Sequence, residues 1–343
     1  MKKTIIIMML LVSIITLSAC NQEDIENGQT FDREEVSITQ HITTGANVND
    51  TNDRFEGGEV QEVTQTFLTN PQSVAIFSFD ALDILNYVGI EQTSINLLGV
   101  PKSNIPTYLN AFNQNDTKNV GTLFMPDYDA LDLFNPDLII IGGRSAQSYD
   151  ALKAQYPNTD ILDVSLVYGE YIEGLERNVE NLGKIFPNIQ EALDEELTKI
   201  KSEIAAIADV TETYDALFIL VNGSTLSFYG SNGRFAVLYD EFGFMPSDEK
   251  DDTGQSHGDL VGYEYVAAIN PSIIFLMDRG AAIGNAASVD EVTQNALIAN
   301  TDAGKDGHIY ELSGIAWYIS SGGFESTYMM ISDLENFTEK ISN

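Results

Sequence analysis

Basic residues are scarce in this chain of 343 residues, in which 17 Lys and Arg stand against 52 Asp and Glu. The formal net charge is therefore -35 at pH 7. Nucleic acids and anionic membrane surfaces would repel so acidic a protein, and we expect it to bind neither through charge. The hydrophobic content of 43% is sufficient for packed cores, which excludes a disordered acidic chain.

Cysteine occurs once, at Cys20, so the chain cannot form an intrachain disulfide. Lys2 and Lys3 precede an apolar run over residues 5–17. This pattern is typical of a signal peptide over residues 1–19, and the run is too short for a transmembrane helix. It is followed by Ser-Ala-Cys and thus ends in a sequence similar to the bacterial lipoprotein box, in which the cysteine is lipidated. We therefore expect an extracytoplasmic protein that is anchored to the cell membrane only by the lipid on Cys20.

Apolar periodicity is nearly absent from residues 20–58, which are polar, acidic and rich in Gly, Asn and Thr. Such a composition is typical of a flexible segment. We expect residues 20–58 to comprise the lipid anchor and a flexible tether that contains His41, Arg33 and Arg54.

Histidine occurs only three times, and the one cysteine is expected to carry a lipid. These residues cannot form a closed zinc site, although a carboxylate site remains open. The chain also has no Walker loop and no dinucleotide-binding G-x-G-x-x-G. We expect no cofactor.

One short pattern is typical of hydrolases. Residues 254–258 read Gly-Gln-Ser-His-Gly and match the nucleophile elbow G-x-S-x-G. That turn requires a buried strand before the serine, whereas the polar sequence SDEKDDT precedes it here. We interpret the match as chance and expect no enzyme, so that a surface α/β hydrolase is the less favoured alternative.

Two segments of the chain resemble each other. Residues 128–144 read YDALDLFNPDLIIIGGR, and residues 263–279 read YEYVAAINPSIIFLMDR. Each predicts a short amphipathic helix, a break at Asn-Pro and a buried strand, which indicates an internal duplication. The final residues, Arg144 and Arg279, follow the carboxyl ends of the two predicted strands.

Strand and helix alternate along the rest of the chain. Further strands are predicted at Ser73–Ser78, Asp160–Val164, Ala216–Val221 and His308–Leu312, and helices at Ala81–Val88, Ser148–Gln155, Phe235–Phe242 and Val289–Ala299. This alternation predicts an α/β protein with mostly parallel sheets in two lobes. We expect an N-terminal lobe at 59–168, a long linking helix at 169–187 and a C-terminal lobe at 188–343, divided at Pro187.

Arginine is also rare, with six in the whole chain. Arg144, Arg279 and Arg234, which ends the sequence YGSNGR, each lie between a predicted strand and a predicted helix. Open α/β sheets bind ligands at the carboxyl ends of their strands, so these arginines should meet at a cleft between the lobes. Because arginine suits fixed, multidentate contacts with anions, the sequence predicts an anionic ligand. Surface salt bridges with the abundant carboxylates are the alternative.

Seven stretches in order give the chain a more specific likeness. They are GVPKSNIPTYL (99–109), NVGTLFMPDYDAL (119–131), NPDLIIIGGR (135–144), GRFAVLYDEFGF (233–244), HGDLVGYEYVAAINP (257–271), DRGAAIG (278–284) and WYISSGG (317–323). Over about residues 60–343 the chain resembles the bacterial solute-binding lipoproteins for ferric siderophores, in particular the catecholate or petrobactin-binding type. In that family one long helix joins two lobes, and a ligand cleft lies between them.

The resemblance implies roles for particular residues. Arg144, Arg234 and Arg279 would line the cleft and neutralise a trianionic iron complex. His257 and Tyr318 would act as metal ligands only with tetradentate chelates, which leave two of the six positions on Fe(III) open. Trp317, beside Tyr318, is expected in the same ligand-binding site.

The resemblance also implies two partners, a ferric siderophore and the permease of an ABC importer. Asp129 and Glu264 would dock onto permease arginines, one carboxylate per lobe, although the family usually has Glu at the place of Asp129. We expect the protein itself to be a monomer. The alternatives in the same class are proteins that bind haem, cobalamin or a free metal ion, and three arginines favour an anionic complex over a bare cation.

Overall fold

The computed structural model describes residues 24–26, 29–49, 54–248, 258–286 and 288–341. The expected signal peptide, Cys20 and His257 lie outside these residues. The strands are β1 (Asp24–Glu26), β2 (Gln29–Phe31), β3 (Glu35–Thr44), β4 (Asn47–Asn49), β5 (Arg54–Glu56), β6 (Glu59–Leu68), β7 (Ser73–Ile76), β8 (Leu97–Val100), β9 (Lys118–Asn119), β10 (Leu138–Ile141), β11 (Asp160–Asp163), β12 (Asp215–Asn222), β13 (Thr225–Tyr229), β14 (Met245–Pro246), β15 (Asp259–Val261), β16 (Ile273–Asp278) and β17 (Ile309–Leu312). The α-helices are α1 (Phe79–Tyr87), α2 (Tyr128–Phe134), α3 (Tyr149–Gln155), α4 (Tyr171–Ile185), α5 (Gln190–Thr211), α6 (Val237–Asp240), α7 (Tyr263–Ile269), α8 (Arg279–Ala282), α9 (Val289–Thr293), α10 (Ala296–Ala299), α11 (Asp302–Asp306) and α12 (Phe324–Ile341).

The N-terminal sheet is parallel throughout, with the strand order β11-β10-β7-β8-β9. Strands β7 and β10 read Ser-Val-Ala-Ile and Leu-Ile-Ile-Ile, and every residue in both is buried. Such continuous apolar strands are typical of parallel sheets that are covered on both faces. Arg144 follows β10 at the carboxyl edge of this sheet.

The C-terminal sheet is mixed, with the order β15-β13-β12-β16-β17 and the short β14 beside β12. Its centre is parallel, because β12 pairs with β16 and β16 with β17 in that sense. Strand β13, which the sequence analysis did not predict, forms an antiparallel hairpin with β12. The two-residue turn begins at Gly223, whose φ of 60° suits glycine, and this tight hairpin signal was overlooked.

The predicted repeat is confirmed as a structural unit. Helices α2 and α7 precede strands β10 and β16, as the two similar sequences predicted. Each helix ends at an asparagine in the left-handed region, Asn135 with φ 51° and Asn270 with φ 53°. Asparagine tolerates this conformation at a helix end, and the proline that follows prevents the helix from continuing.

The segment that was expected to be a flexible tether is largely folded. Strand β3 pairs antiparallel with β6 from Glu35 opposite Leu68 to Thr44 opposite Glu59. Ile38, Gln40 and Ile42 of β3 are buried against the N-terminal lobe. The expectation was wrong here because a buried polar residue, Gln40, interrupts the apolar alternation, so the strand pattern is weak in the sequence. The side chain of Gln40 donates to the carbonyl of Ile161 and accepts from the amide of Asp163.

The predicted long connecting helix is α4, and α5 follows it after a short turn that begins at Pro187. Leu175, Val179 and Leu182 of α4 recur at helical spacing and are buried in the core. The two-lobe α/β fold with one long connecting helix is therefore confirmed. The exact domain limits at 168 and 188 stay predictions.

The lobes also meet at the first turn of α12. Asp83 of α1 accepts hydrogen bonds from the backbone amides of Glu325 and Ser326, both at 3.0 Å. An N-terminal lobe carboxylate thereby caps a C-terminal lobe helix, where negative charge is favourable. Gly323 permits this approach, because a Cβ at that position would lie 2.1 Å from a carboxylate oxygen of Asp83.

Candidate ligand-binding cleft

Three arginines from separate loops converge on one aromatic ring, that of Tyr318. The guanidinium carbons of Arg144, Arg234 and Arg279 lie 5.1, 4.3 and 5.7 Å from its centroid. Arg144 follows β10, Arg234 lies between β13 and α6, and Arg279 begins α8 after β16. Guanidinium groups at these distances are attracted by the negative face of an aromatic ring.

Hydrogen bonds fix the orientation of all three guanidinium groups. The Nη2 atoms of Arg144 and Arg234 both donate to the carbonyl oxygen of Tyr318 at 2.7 Å. The Nε atom of Arg279 donates to the Tyr318 hydroxyl at 2.9 Å. A guanidinium has more N–H donors than these contacts use, so each arginine retains donors for a ligand.

Carboxylates do not neutralise this arginine cluster directly. In the described part of the chain, Arg144, Arg234 and Arg279 form no ion pair within 4.0 Å. Asp80 of α1 is the carboxylate whose charge acts on Arg144 and Arg234. Burial raises the pKa of Asp80, while the amide of Gly322 and the charge of Arg144 act in the opposite direction. The site therefore keeps an excess of positive charge in a strongly acidic protein.

The phenol of Tyr318 responds to this positive charge. Burial by itself raises the pKa of Tyr318, but the hydrogen bond from Arg279 and the charges of Arg234, Arg279 and Arg144 outweigh it. The net result is a pKa below the ordinary value of tyrosine. A phenol of this kind becomes a phenolate more readily, and phenolate oxygen is a hard donor of the kind that suits Fe(III).

A cavity of about 440 Å³ lies beside the cluster and is lined by both lobes. Its size falls within the range of roughly 300–1,000 Å³ that is usual for small-molecule sites. Arg144, Arg234 and Trp317 line it, as do Asp80 and Tyr168. Tyr318 and Arg279 are not lining residues, but Tyr318 contacts Arg144 and Arg234, which are.

Trp317 forms a rigid part of the cavity wall. It is 1% exposed and packs near Phe218 and Phe242, with centroid distances of 6.0 Å to each. Its Nε1 atom donates to Asp333 at 2.9 Å. Residues 315–319 form a π-helical turn, so Tyr318 lies on a wound segment of the backbone.

The two predicted docking residues occupy equivalent positions. Asp129 and Glu264 are each the second residue of their helices, α2 and α7, and both are exposed. Neither lines the cavity. Their role in docking stays a prediction.

Sequence reasoning missed several residues at this site. His41 and Arg54 were assigned to the tether, but His41 lines the cavity from β3. Arg54 lies 5.4 Å from the ring centroid of Phe124, and Arg144 lies 6.0 Å from the same centroid. Asp163 also lines the cavity, and its position at the end of a predicted strand was the signal that could have identified it.

Comparison with known proteins agrees with this architecture. Residues 79–316 match the family described as periplasmic binding protein. Across 99% of this chain and all of the relative, it is 32% identical to the petrobactin-binding protein YclQ of Bacillus subtilis (strain 168). Over 79% of this chain and 84% of the relative, it is 25% identical to the ferric-anguibactin-binding protein FatB of Vibrio anguillarum.

A solved structure shows the same fold. The crystal structure of the periplasmic catecholate-siderophore binding protein VctP from Vibrio cholerae superimposes with a TM-score of 0.75 at 27% identity. The match covers 88% of this chain and all of VctP. Among the described residues, no helix combines the length and apolar character needed to cross a bilayer. The chain therefore belongs to the periplasmic binding protein family, which confirms the expectation of an extracytoplasmic binding protein and not an enzyme.

Proposed function

We propose that this protein is the substrate-binding component of an ABC importer and that it captures an anionic ferric siderophore of the catecholate type. The observation that carries the proposal is the cluster of Arg144, Arg234 and Arg279 around Tyr318, beside a cavity between two lobes. Fixed guanidinium groups without direct carboxylate partners suit a polyanion whose charge is spread over several oxygens.

The relatives support the same ligand class. The names of YclQ, FatB and VctP specify petrobactin, ferric anguibactin and a catecholate siderophore. The protein concentrates three arginines beside one cavity on a chain with a formal charge of -35, so this local positive charge serves recognition and not general adhesion to anions.

Direct coordination of iron is a finer part of the proposal. The lowered pKa of Tyr318 supports a phenolate ligand for a chelate that leaves coordination positions open. His257, which lies outside the described residues, would supply the second ligand. Tyr318→Phe should then weaken binding of tetradentate ferric chelates more than hexadentate ones, and equal losses for both classes would argue against coordination.

Attachment to the membrane is proposed to occur through a lipid on Cys20. The Leu-Ser-Ala-Cys sequence supports it. Cys20→Ala should release the protein from membranes without changing its affinity for the ligand, and membrane retention of the variant would contradict the anchor.

Titration with ferric chelates tests the function as a whole. Trp317 is the only tryptophan and lies in the cavity wall, so its emission should report occupancy. We expect saturable quenching by anionic ferric catecholates and little by a ferric hydroxamate complex without net charge. Equal affinity for both complexes, or no binding of any ferric catecholate, would contradict the proposal.

A further inference from the structure

A second set of polar residues lines the cavity, apart from the arginines. His41 and Thr43 come from β3, and Asp163 and Ser165 come from the end of β11 and the residue two positions beyond. Asp163 pairs in register with Ile141, the residue that precedes the Gly142–Arg144 loop. Asp163 and Arg144 therefore lie at the same edge of the N-terminal sheet, and the β3–β6 hairpin brings His41 and Thr43 to the same cavity.

Asp163 is a buried carboxylate that is only half satisfied. It is 2% exposed, and its Oδ1 atom accepts from both the amide and the hydroxyl of Ser165. Its Oδ2 atom is buried and has no hydrogen-bond partner among the described residues. An unsatisfied buried acceptor destabilises the folded protein, and a charged one does so more strongly. A ligand that donates to this oxygen would remove that destabilisation.

Arg177 is the cation whose charge acts on Asp163, and the two form no ion pair within the described residues. Arg177 of α4 donates through Nη2 to the carbonyl of Ser165 at 3.2 Å, and it forms no ion pair within the described structure. Burial raises the pKa of Asp163 to about 6, although the bonds from Ser165 and the charge of Arg177 oppose that rise.

His41 adds a second unsatisfied group to the same wall. Its Nδ1 atom is buried and has no hydrogen-bond partner in the described part of the chain, while Nε2 lies 3.7 Å from a carboxylate oxygen of Glu62. A neutral imidazole with its proton on Nε2 would present Nδ1 as a further acceptor. The β3–β6 hairpin therefore contributes a hydrogen-bonding side chain to the cavity.

We propose that Asp163 and His41 form a subsite for a protonated amine in the backbone of the ligand. This inference rests on the proposed function and specifies the siderophore class, namely an anionic iron chelate whose linker carries an ammonium group. The arginine cluster binds the chelate oxygens, and the Asp163 subsite binds the linker. An ammonium would donate to acceptors of this kind and would also balance the charge of a buried carboxylate that has no ion-pair partner among the described residues.

Two ferric chelates that differ at one linker atom test the subsite. Both are ferric complexes of a bis-catecholamide. The two chelators differ at one position of the linker, where one has a secondary amine and the other has a methylene group. We expect the wild-type protein to prefer the amine chelate by about tenfold, the usual scale of one charged hydrogen bond. Asp163→Asn should abolish this preference by weakening only the amine chelate. Asp209→Asn makes the same charge change on an exposed residue of α5 and should preserve the preference.

The methylene chelate separates the possible failures. If it binds the wild-type protein as tightly as the amine chelate, the subsite is refuted and the proposed function stands. If neither chelate binds, both proposals fall. If Asp163→Asn misfolds and binds neither chelate, His41→Ala provides the test instead. This substitution leaves the contacts between Asp163 and Ser165 intact. A reduced amine preference in His41→Ala supports the subsite, and an unchanged preference overturns it.

Discussion

Arg144 and Arg279 end the two repeated segments, yet the structure holds them in different ways. Arg144, from the N-terminal lobe, donates to the carbonyls of Tyr318 and Ile319 in the C-terminal lobe at 2.7 and 3.3 Å. Arg279 donates to the Tyr318 hydroxyl and to Asn222, both in its own lobe, at 2.9 and 3.3 Å. One arginine bridges the lobes, and its counterpart fixes a phenol.

The backbone before each arginine accounts for the difference. Strand β16 continues through Asp278, so Arg279 starts a helix directly at the sheet edge. Strand β10 ends at Ile141, and Gly142 and Gly143 lead the chain away before Arg144. A Cβ at Gly142 would lie 2.9 Å from the side chain of Ser78, so glycine permits this path. The two repeated segments thus place an arginine at the same point, while the local backbone decides what it contacts.

Charge reversal at the equivalent helix positions of the two lobes tests whether the repeated segments also dock onto the permease. Asp129→Lys combined with Glu264→Lys should abolish uptake of the ferric siderophore while leaving its affinity unchanged, because neither residue lines the cavity. Transport assays in cells and binding to the purified protein measure the two effects separately.

A matched control for this prediction is the double variant Glu195→Lys and Asp209→Lys on α5, where both residues are exposed. It reverses the same number of charges and should transport normally. The shorter side chain of Asp129 predicts a smaller loss for its single variant than for Glu264→Lys. Normal uptake by the Asp129/Glu264 double variant would show that both residues are ordinary surface carboxylates without a role in docking.

The bridging arginine should matter most for affinity. Arg144→Ala removes a charged contact to the ligand and the link between the lobes, and we expect a loss of about a hundredfold in ferric-catecholate affinity. Arg144→Lys should recover only part of it, since an ammonium cannot reproduce the planar fork. Arg33→Ala removes a charge that lies near Asp137 and away from the cavity, and should bind normally. If Arg144→Ala and Arg33→Ala bind the ferric catecholate with similar affinity, the proposed role of Arg144 in binding the ligand and linking the lobes is refuted.

Arg279, the counterpart of Arg144 in the C-terminal lobe, should contribute less to ligand affinity. Its removal should also change the titration of Tyr318. Arg279→Ala should cost about tenfold in affinity. It should also raise the pKa of Tyr318, because the hydrogen bond and the charge that favour the phenolate are both lost. Ultraviolet titration of tyrosine, with Tyr318→Phe to assign the signal, measures this shift. An unchanged Tyr318 titration in Arg279→Ala would contradict the assigned contact.

Much of the fold was predictable because strong local signals specify it. The apolar runs at Leu138–Ile141 and Ile273–Asp278, each after Asn-Pro, predicted the repeat and the places of Arg144 and Arg279. The helical stretch on either side of Pro187 predicted α4 and α5. These elements are specified by residues that are close together in the sequence, so the sequence of one chain is enough to predict them.

The rest of the site depends on partners that are distant in sequence. The hairpin strand β3 is specified by its pairing with β6 and by Gln40 reaching Ile161, a separation of 121 residues. Nothing local shows that His41 would line a cavity or that Asp163 would keep an unpaired oxygen. The contact of Asp83 with the start of α12 spans 243 residues and depends on Gly323.

Location of the iron in a crystal of the complex tests the central claim most directly. Anomalous scattering at the iron absorption edge places the metal without assumptions about the ligand. We predict one iron in the cavity between the lobes, with chelate oxygens in contact with the guanidinium groups of Arg144, Arg234 and Arg279. Iron bound elsewhere, with the three guanidinium groups still held only by Tyr318, Ile319 and Asn222, would contradict the account.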